Sequence, residues 1–180
     1  MKILSVNVGG PREVQWRGHA VRTSIWKSPV EGRVRVRTLN LDGDEQSDLT
    51  VHGGADKALY VYPSEHYAFW LSELPNMEFP FGAFGENLTT EGLLEESVRI
   101  GDRLRAGTAE FVVTQPRFPC YKLGIRFGTE KMIVRFLRSE RSGFYLAVLR
   151  EGDVAAGDPI EMIAADADSL SIADVFTQRL

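Results

Sequence analysis

The chain has 180 residues, 43% of them hydrophobic and 26% charged, with a formal net charge of −4. That balance supports one sizeable core, gives no overall attraction to nucleic acid, and leaves any anionic ligand to a local cluster of bases. No run approaches the roughly 20 apolar residues that cross a bilayer, the start MKILSVNVGG lacks a signal peptide's apolar block, and one cysteine excludes an internal disulfide and points to a reducing, cytoplasmic setting.

Short β-type segments dominate. Residues 2–8 alternate around Ile3, Leu4, Val6 and Val8, and residues 33–41 alternate Arg33, Arg35 and Arg37 with Val34 and Val36, which predicts a half-exposed strand. Residues 58–62, 109–114, 143–149 and 159–163 are rich in aromatic and β-branched types and predict four more strands. Two segments have helical period. Ser64 caps one, with Tyr67, Trp70, Leu71 and Leu74 on a face and Pro75 ending it; Thr129 caps the other, with Met132, Ile133, Phe136 and Leu137 on a face. Residues 164–168 are small and acidic, a linker into a short helix that starts at Ser171. No alternating βαβ pattern appears, and Gly53-Gly54 is too short for a phosphate loop.

One internal echo stands out. Residues 98–104 and 154–160 share the pattern V-x-x-G-D-x-[IL]. Each sets a Gly-Asp turn between two apolar stretches, and glycine takes the positive φ such turns need. Two copies predict sharp strand-to-strand corners of a small barrel.

Four places could carry chemistry. In Q-P-R-F-P-C-Y-K-L (115–123), Pro116 and Pro119 stiffen the backbone around Cys120. Arg117, Lys122 and Arg126 are cations that favour a thiolate, the form that binds metals; the alternative is a buried cysteine serving as a small hydrophobe. In residues 43–57, His52 is either a proton donor or a turn-bonding histidine, and Asp44, Asp48 and Asp56 can be turn caps alone, the reading favoured for Asp44. Lys27, inside an apolar strand-like stretch, either snorkels to the surface or faces a polar pocket. Glu86 and Asn87, after G-A-F-G (82–85), line a pocket or form a turn. One cysteine and three histidines lack any zinc-ligand spacing. The Arg33, Arg35 and Arg37 stripe lacks the interleaved aromatics of a nucleic-acid platform.

At these segments the sequence resembles the MOSC-domain family, named for the C-terminal domain of molybdenum cofactor sulfurase. It is most similar to the small stand-alone bacterial, YiiM-like branch. The matching motifs are T-S-I-W-K-S-P-V (23–30), L-N-L-D-G-D-E-Q-S-D-L-T-V-H-G-G-A-D-K-A (39–58), Y-P-S-E-H-Y-A-F-W (62–70), G-A-F-G-E-N-L-T (82–89), I-G-D-R-L-R-A-G (100–107), the cysteine segment and G-D-P-I (157–160). They stand in the family's order.

The resemblance implies a mainly β fold with a few helices: a closed MOSC-type, pyruvate-kinase-barrel-like domain over residues 1–163. Residues 164–180 would then be a linker and short helix, the remnant of a larger helical unit. It further implies that Cys120 ligates the molybdenum of a pterin (molybdopterin) cofactor, with Arg117 and Lys122 at the pterin and its phosphate. Lys27, His52, Asp56, Lys57, Glu86 and Asn87 would line the cavity, with His52 the candidate catalytic proton donor. The implied activity is reduction of N-hydroxylated compounds, such as N-hydroxylated purines, to amines. No flavin or nicotinamide motif is visible, so electrons are expected from a separate reductase. Two other readings are a carrier of sulfur (as a persulfide on Cys120) or of the cofactor, and a plain binding barrel. Neither nucleic acid nor membrane is expected as a partner.

Overall fold

A computed structural model describes residues 1–46 and 53–180. The alternating start forms β1 (Lys2–Val8), and β6 (Leu59–Pro63), β9 (Ala109–Pro116), β10 (Phe144–Arg150) and β12 (Ile160–Ala164) occupy the other expected strands. Between them lie β2 (Arg12–Trp16), β3 (His19–Thr23), β4 (Ser28–Pro29), β5 (Val34–Val36), β7 (Leu88–Glu91), β8 (Arg103–Ala106) and β11 (Gly152–Val154). Helices α1 (Glu65–Glu73) and α3 (Lys131–Ser139) fall where the helical period predicts, and α4 (Ile172–Thr177) follows Ser171 as expected. The expectation missed α2 (Tyr121–Phe127) and the β2–β3 hairpin, which Arg17 and Gly18 close with consecutive positive φ values of 53° and 80°. The strand expected over 33–41 is only three residues long. After Val36 the chain turns, closed by Arg37 N–H to the Asn40 carbonyl at 2.8 Å and an Arg37–Asp42 ion pair.

Eight strands form one sheet in the order β12-β8-β9-β10-β6-β7-β1-β4. Its pairs are antiparallel except β6–β7, which are parallel and joined through α1. That is a βαβ unit, contrary to the sequence reading. The long, aromatic and glycine-rich return over 74–87 hides the alternation. The expected closed barrel is met only in part, because β12 and β4 are edges that do not pair with each other. One bridge, Lys2 to Pro159, and the bonds Ile160 N–H to Met1 carbonyl and Ile3 N–H to Asp158 carbonyl, both 3.0 Å, join the segment before β12 to the start of β1. Pro159 has no N–H to extend that contact into a ladder.

The echoed motif builds the same corner twice. Gly101 and Gly157 take φ of 90° and 91°. In each copy the aspartate carboxylate accepts the N–H three residues back, Arg99 to Asp102 at 2.8 Å and Ala155 to Asp158 at 2.9 Å. The two corners feed β8 and β12, which pair antiparallel.

Strand alternation divides the buried side chains into two sets. Leu59, Val61, Phe144 and Leu146 face a core shared with Ile3, Val6, Leu88, Leu104, Phe111 and Ile160. Tyr60, Tyr62 and Tyr145 point the other way, into an aromatic layer with Trp70, Phe84, Phe127 and Phe136 from the helices and the 74–87 return. Each helix docks through part of its predicted face: Tyr67 and Trp70 of α1 and Met132 and Phe136 of α3 are buried, whereas Leu71 is half exposed. Ser171 and Asp174 form a capping box on α4, which buries Ile172 and Phe176. Among the described residues, no helix is long and apolar enough to cross a membrane.

Candidate functional site

On the aromatic face of β6 and β10, a cleft partly open to solvent is lined by Lys27, Lys57, Asn87, Arg117, Cys120 and Lys122. Six of the predicted residues thus converge from four separate stretches of chain. Asp44, Ser24, Tyr60, Phe84, Phe118 and Tyr145 complete much of the wall.

Glycines set one side of it. A Cβ on Gly9 would lie 2.1 Å from the Trp26 carbonyl oxygen, and one on Gly82 would lie 2.7 Å from the Lys27 carbonyl oxygen. The 25–27 backbone therefore runs in a channel that only glycine leaves open. It delivers Lys27 inward, where its ammonium pairs with Asp44. The polar-pocket alternative for Lys27 holds. Burial lowers the Lys27 pKa, and the Asp44 charge opposes that shift.

Asp44 is more than a turn cap. Its carboxylate also accepts Gly9 N–H and the Asn87 side-chain amide, each at 2.9 Å, and the side chain is buried. Asn87 in turn accepts Tyr60 N–H at 3.1 Å, fixing β6 beneath the wall. Glu86 does not reach the cleft. It is fully buried behind it and accepts Gly82 N–H at 2.8 Å, Phe84 N–H at 3.0 Å, Thr89 Oγ1 at 3.0 Å and the Tyr67 hydroxyl. Burial raises its pKa despite these donors. Its work is to shape the 82–87 loop.

The cysteine segment leaves β9 at Pro116. Cys120, half-buried and extended (φ −120°, ψ 175°), stands just before α2. Arg117 is buried, its guanidinium 4.8 Å from the Tyr60 ring centre and 5.1 Å from that of Phe136. Burial works against its charge, but the Tyr60 and Tyr145 oxygens and the Cys120 sulfur outweigh it, so its pKa is raised. Burial likewise raises both phenols, which stay neutral; the Tyr60 hydroxyl donates to the Ser142 carbonyl at 2.8 Å. Arg117 Nη1 and Ser24 Oγ are buried with no hydrogen-bond partner. Two polar atoms left this way in one cleft wall call for a ligand that bonds them.

Asp56 is exposed and does not line the cleft, although its carbonyl accepts Thr114 Oγ1 at 2.6 Å. It lies on a 3₁₀ turn, Ala55–Lys57, that turns Lys57 inward and Asp56 out. His52 lies outside the described residues. Sequence reasoning missed Asp44, Ser24, Tyr60 and Tyr145. Strand alternation was the available signal for the tyrosines, since both flank core residues. Among the described residues, no three His, Cys, Asp or Glu side chains cluster to hold a metal. A metal here would arrive with most of its own ligands and take the Cys120 thiolate. The donors present fit an anionic, metal-carrying cofactor of that kind: one thiol, a buried guanidinium with Nη1 left without a partner, and lysines lining the cleft.

The chain is 40% identical over 148 residues to protein YiiM of Escherichia coli, covering 81% of this chain and 66% of that one. It is 32% identical over 161 residues to a reductase of Gibberella moniliformis, covering 88% of this chain and 28% of that protein. The crystal structure of YiiM from Geobacillus stearothermophilus superposes with a TM-score of 0.81 at 35% identity, over 99% of this chain and 83% of that one. The family model for the MOSC domain matches residues 48–161, and the chain belongs to that family.

Proposed function

We propose that the protein is a molybdenum-cofactor-dependent oxidoreductase that reduces N-hydroxylated compounds, such as N-hydroxylated purines, to the amines, with Cys120 as the metal's thiolate ligand. The observation that carries this reading is the buried Arg117 guanidinium, whose Nη1 has no hydrogen-bond partner, in the same cleft as the chain's single thiol. The family match to the MOSC domain and a relative named a reductase support the oxidoreductase class.

When bound, the cofactor supplies the two-electron centre at which an N–O bond is reduced. The chain's residues supply the surroundings. Cys120 offers a single soft ligand, and Arg117 offers a buried charge and a free N–H for an anionic group. Lys27 and Asp44 hold a proton inside the cleft, of use because reduction of R–NHOH to R–NH2 and water consumes two protons and two electrons. Tyr60, Phe84, Phe118 and Tyr145 supply flat apolar surface that keeps bulk water from the reacting atoms. The electrons come from a separate reductase.

The test is molybdenum content by elemental mass spectrometry, on wild type and Cys120→Ala purified from a cofactor-producing host. Near-stoichiometric metal in wild type that is lost in the variant is the expected result, followed by reduction of an N-hydroxylated purine with a supplied electron donor. A wild type free of molybdenum would overturn it and favour the persulfide carrier.

A further inference from the structure

The helix α4 lies outside the region matched to the family model, yet it packs against a residue of the cleft wall. Phe176, in its last turn, is fully buried and stacks on Phe118, with ring centres 4.9 Å apart and planes at 20°. Phe118 lies between Arg117 and Pro119 and lines the cleft. Phe176 is its aromatic partner among the described residues.

The helix is itself held firmly. Its capping box closes the first turn, Ile172 is in the main core, Ile172 N–H donates to the Val98 carbonyl at 2.8 Å, and Ala173 N–H donates to the Glu95 carbonyl at 3.2 Å. The other side of the same loop is held at Arg117, whose N–H donates to the Gly143 carbonyl at 3.3 Å. Gly143 N–H donates to the Glu95 carboxylate at 2.6 Å. Glu95 therefore ties α4 through its backbone and the Arg117 strand through its side chain. Between the two ties, the 117–120 loop has few backbone bonds of its own.

We propose that Phe176 is a positioning residue for the site: by stacking on Phe118 it holds the loop that sets Cys120 and Arg117 against the cleft. The C-terminal helix then supports the site's wall from behind and is not an appendage to the sheet. This rests on the reading that Cys120 and Arg117 act in the cleft, but it does not depend on the cofactor that binds there.

The test measures the second-order rate of Cys120 alkylation by iodoacetamide at fixed pH, since Cys120 is the chain's single cysteine. The proteins are the full-length wild type, Phe176→Ala, Phe176→Leu, and Ile3→Ala as a core variant remote from the loop. Phe176→Ala should raise the rate about three- to tenfold, the factor that loss of a ring–ring contact gives through local opening. Phe176→Leu, which keeps most of the buried volume and folds if the alanine variant does not, should raise it less. Ile3→Ala should lower the melting temperature without moving the rate. An unchanged rate in both Phe176 variants, or an equal rise in Ile3→Ala, would overturn the proposal. Because the assay needs no metal, a failure here is distinct from an absence of molybdenum in the wild type.

Discussion

Lys27 and Asp44, seventeen residues apart, meet as an ion pair in the cleft wall with side-chain exposures of 9% and 1%. Breaking such a pair from one side strands the other charge. Asp44→Asn should cost about 3 kcal/mol or more of folding stability, read from urea unfolding at neutral pH. It should cost more than the double variant Asp44→Asn/Lys27→Met, which leaves no buried charge behind.

The lowered pKa of Lys27 makes a signed prediction. Above that lowered value and below the 10.5 of an unperturbed lysine, the unfolded chain binds a proton that the folded chain has lost. Stability therefore rises with pH across that alkaline window as far as this residue is concerned. Comparing unfolding midpoints along an alkaline pH series, Lys27→Met should lack this rise.

Arg117 predicts a modest cost in stability and a larger one in binding. Its Nη1 is buried without a partner, but its guanidinium also packs on the Tyr60 and Phe136 rings. Arg117→Met should cost about 1–2 kcal/mol of folding stability through the lost ring contacts. The same variant, purified from a cofactor-producing host, should retain less than about a tenth of the wild-type molybdenum, because a charge-assisted bond to an anion is worth about 1.5–3 kcal/mol. A strongly destabilised variant with full metal content would contradict both halves.

Neighbouring glycines should behave differently. A Cβ on Gly9 meets the Trp26 carbonyl oxygen at 2.1 Å, whereas one on Gly10 meets nothing within 4 Å. Gly9→Ala should lose about 1–3 kcal/mol through backbone displacement and disturb the Gly9 N–H bond to Asp44. Gly10→Ala should be neutral to within about 0.5 kcal/mol or slightly stabilising. Thermal melts of the two variants side by side decide this.

Glu86 accepts four donors on two buried oxygens. In Glu86→Gln one acceptor becomes an amide nitrogen facing an N–H or O–H donor. The expected loss is about 1–3 kcal/mol, measured by urea unfolding, and the 82–87 loop should show faster amide hydrogen exchange.

Much of the fold was legible in the residues themselves, because the signals involved are local. The two-residue period of β1 and β9, the capping box of Ser171 and Asp174, and the Gly-Asp corners at 101–102 and 157–158 are set by neighbours in the chain. So is the stiffening of the Cys120 segment by Pro116 and Pro119, although the helix α2 that follows was missed. The same local reasoning failed where the deciding partner is distant. Asp44 looked like a turn cap because nothing near it in sequence shows Gly9, Lys27 and Asn87 converging on its carboxylate. Tyr60 and Tyr145 were only members of predicted strands until the order of β10, β6 and β7 placed helices over their outward face. The parallel β6–β7 pair, the open edges of the sheet and the stack of Phe176 on Phe118 belong to the same class. Residue type and spacing determined which groups could do chemistry; the packing of strands far apart in the chain decided which of them share one cleft, because burial and charge pairing are properties of neighbours in space.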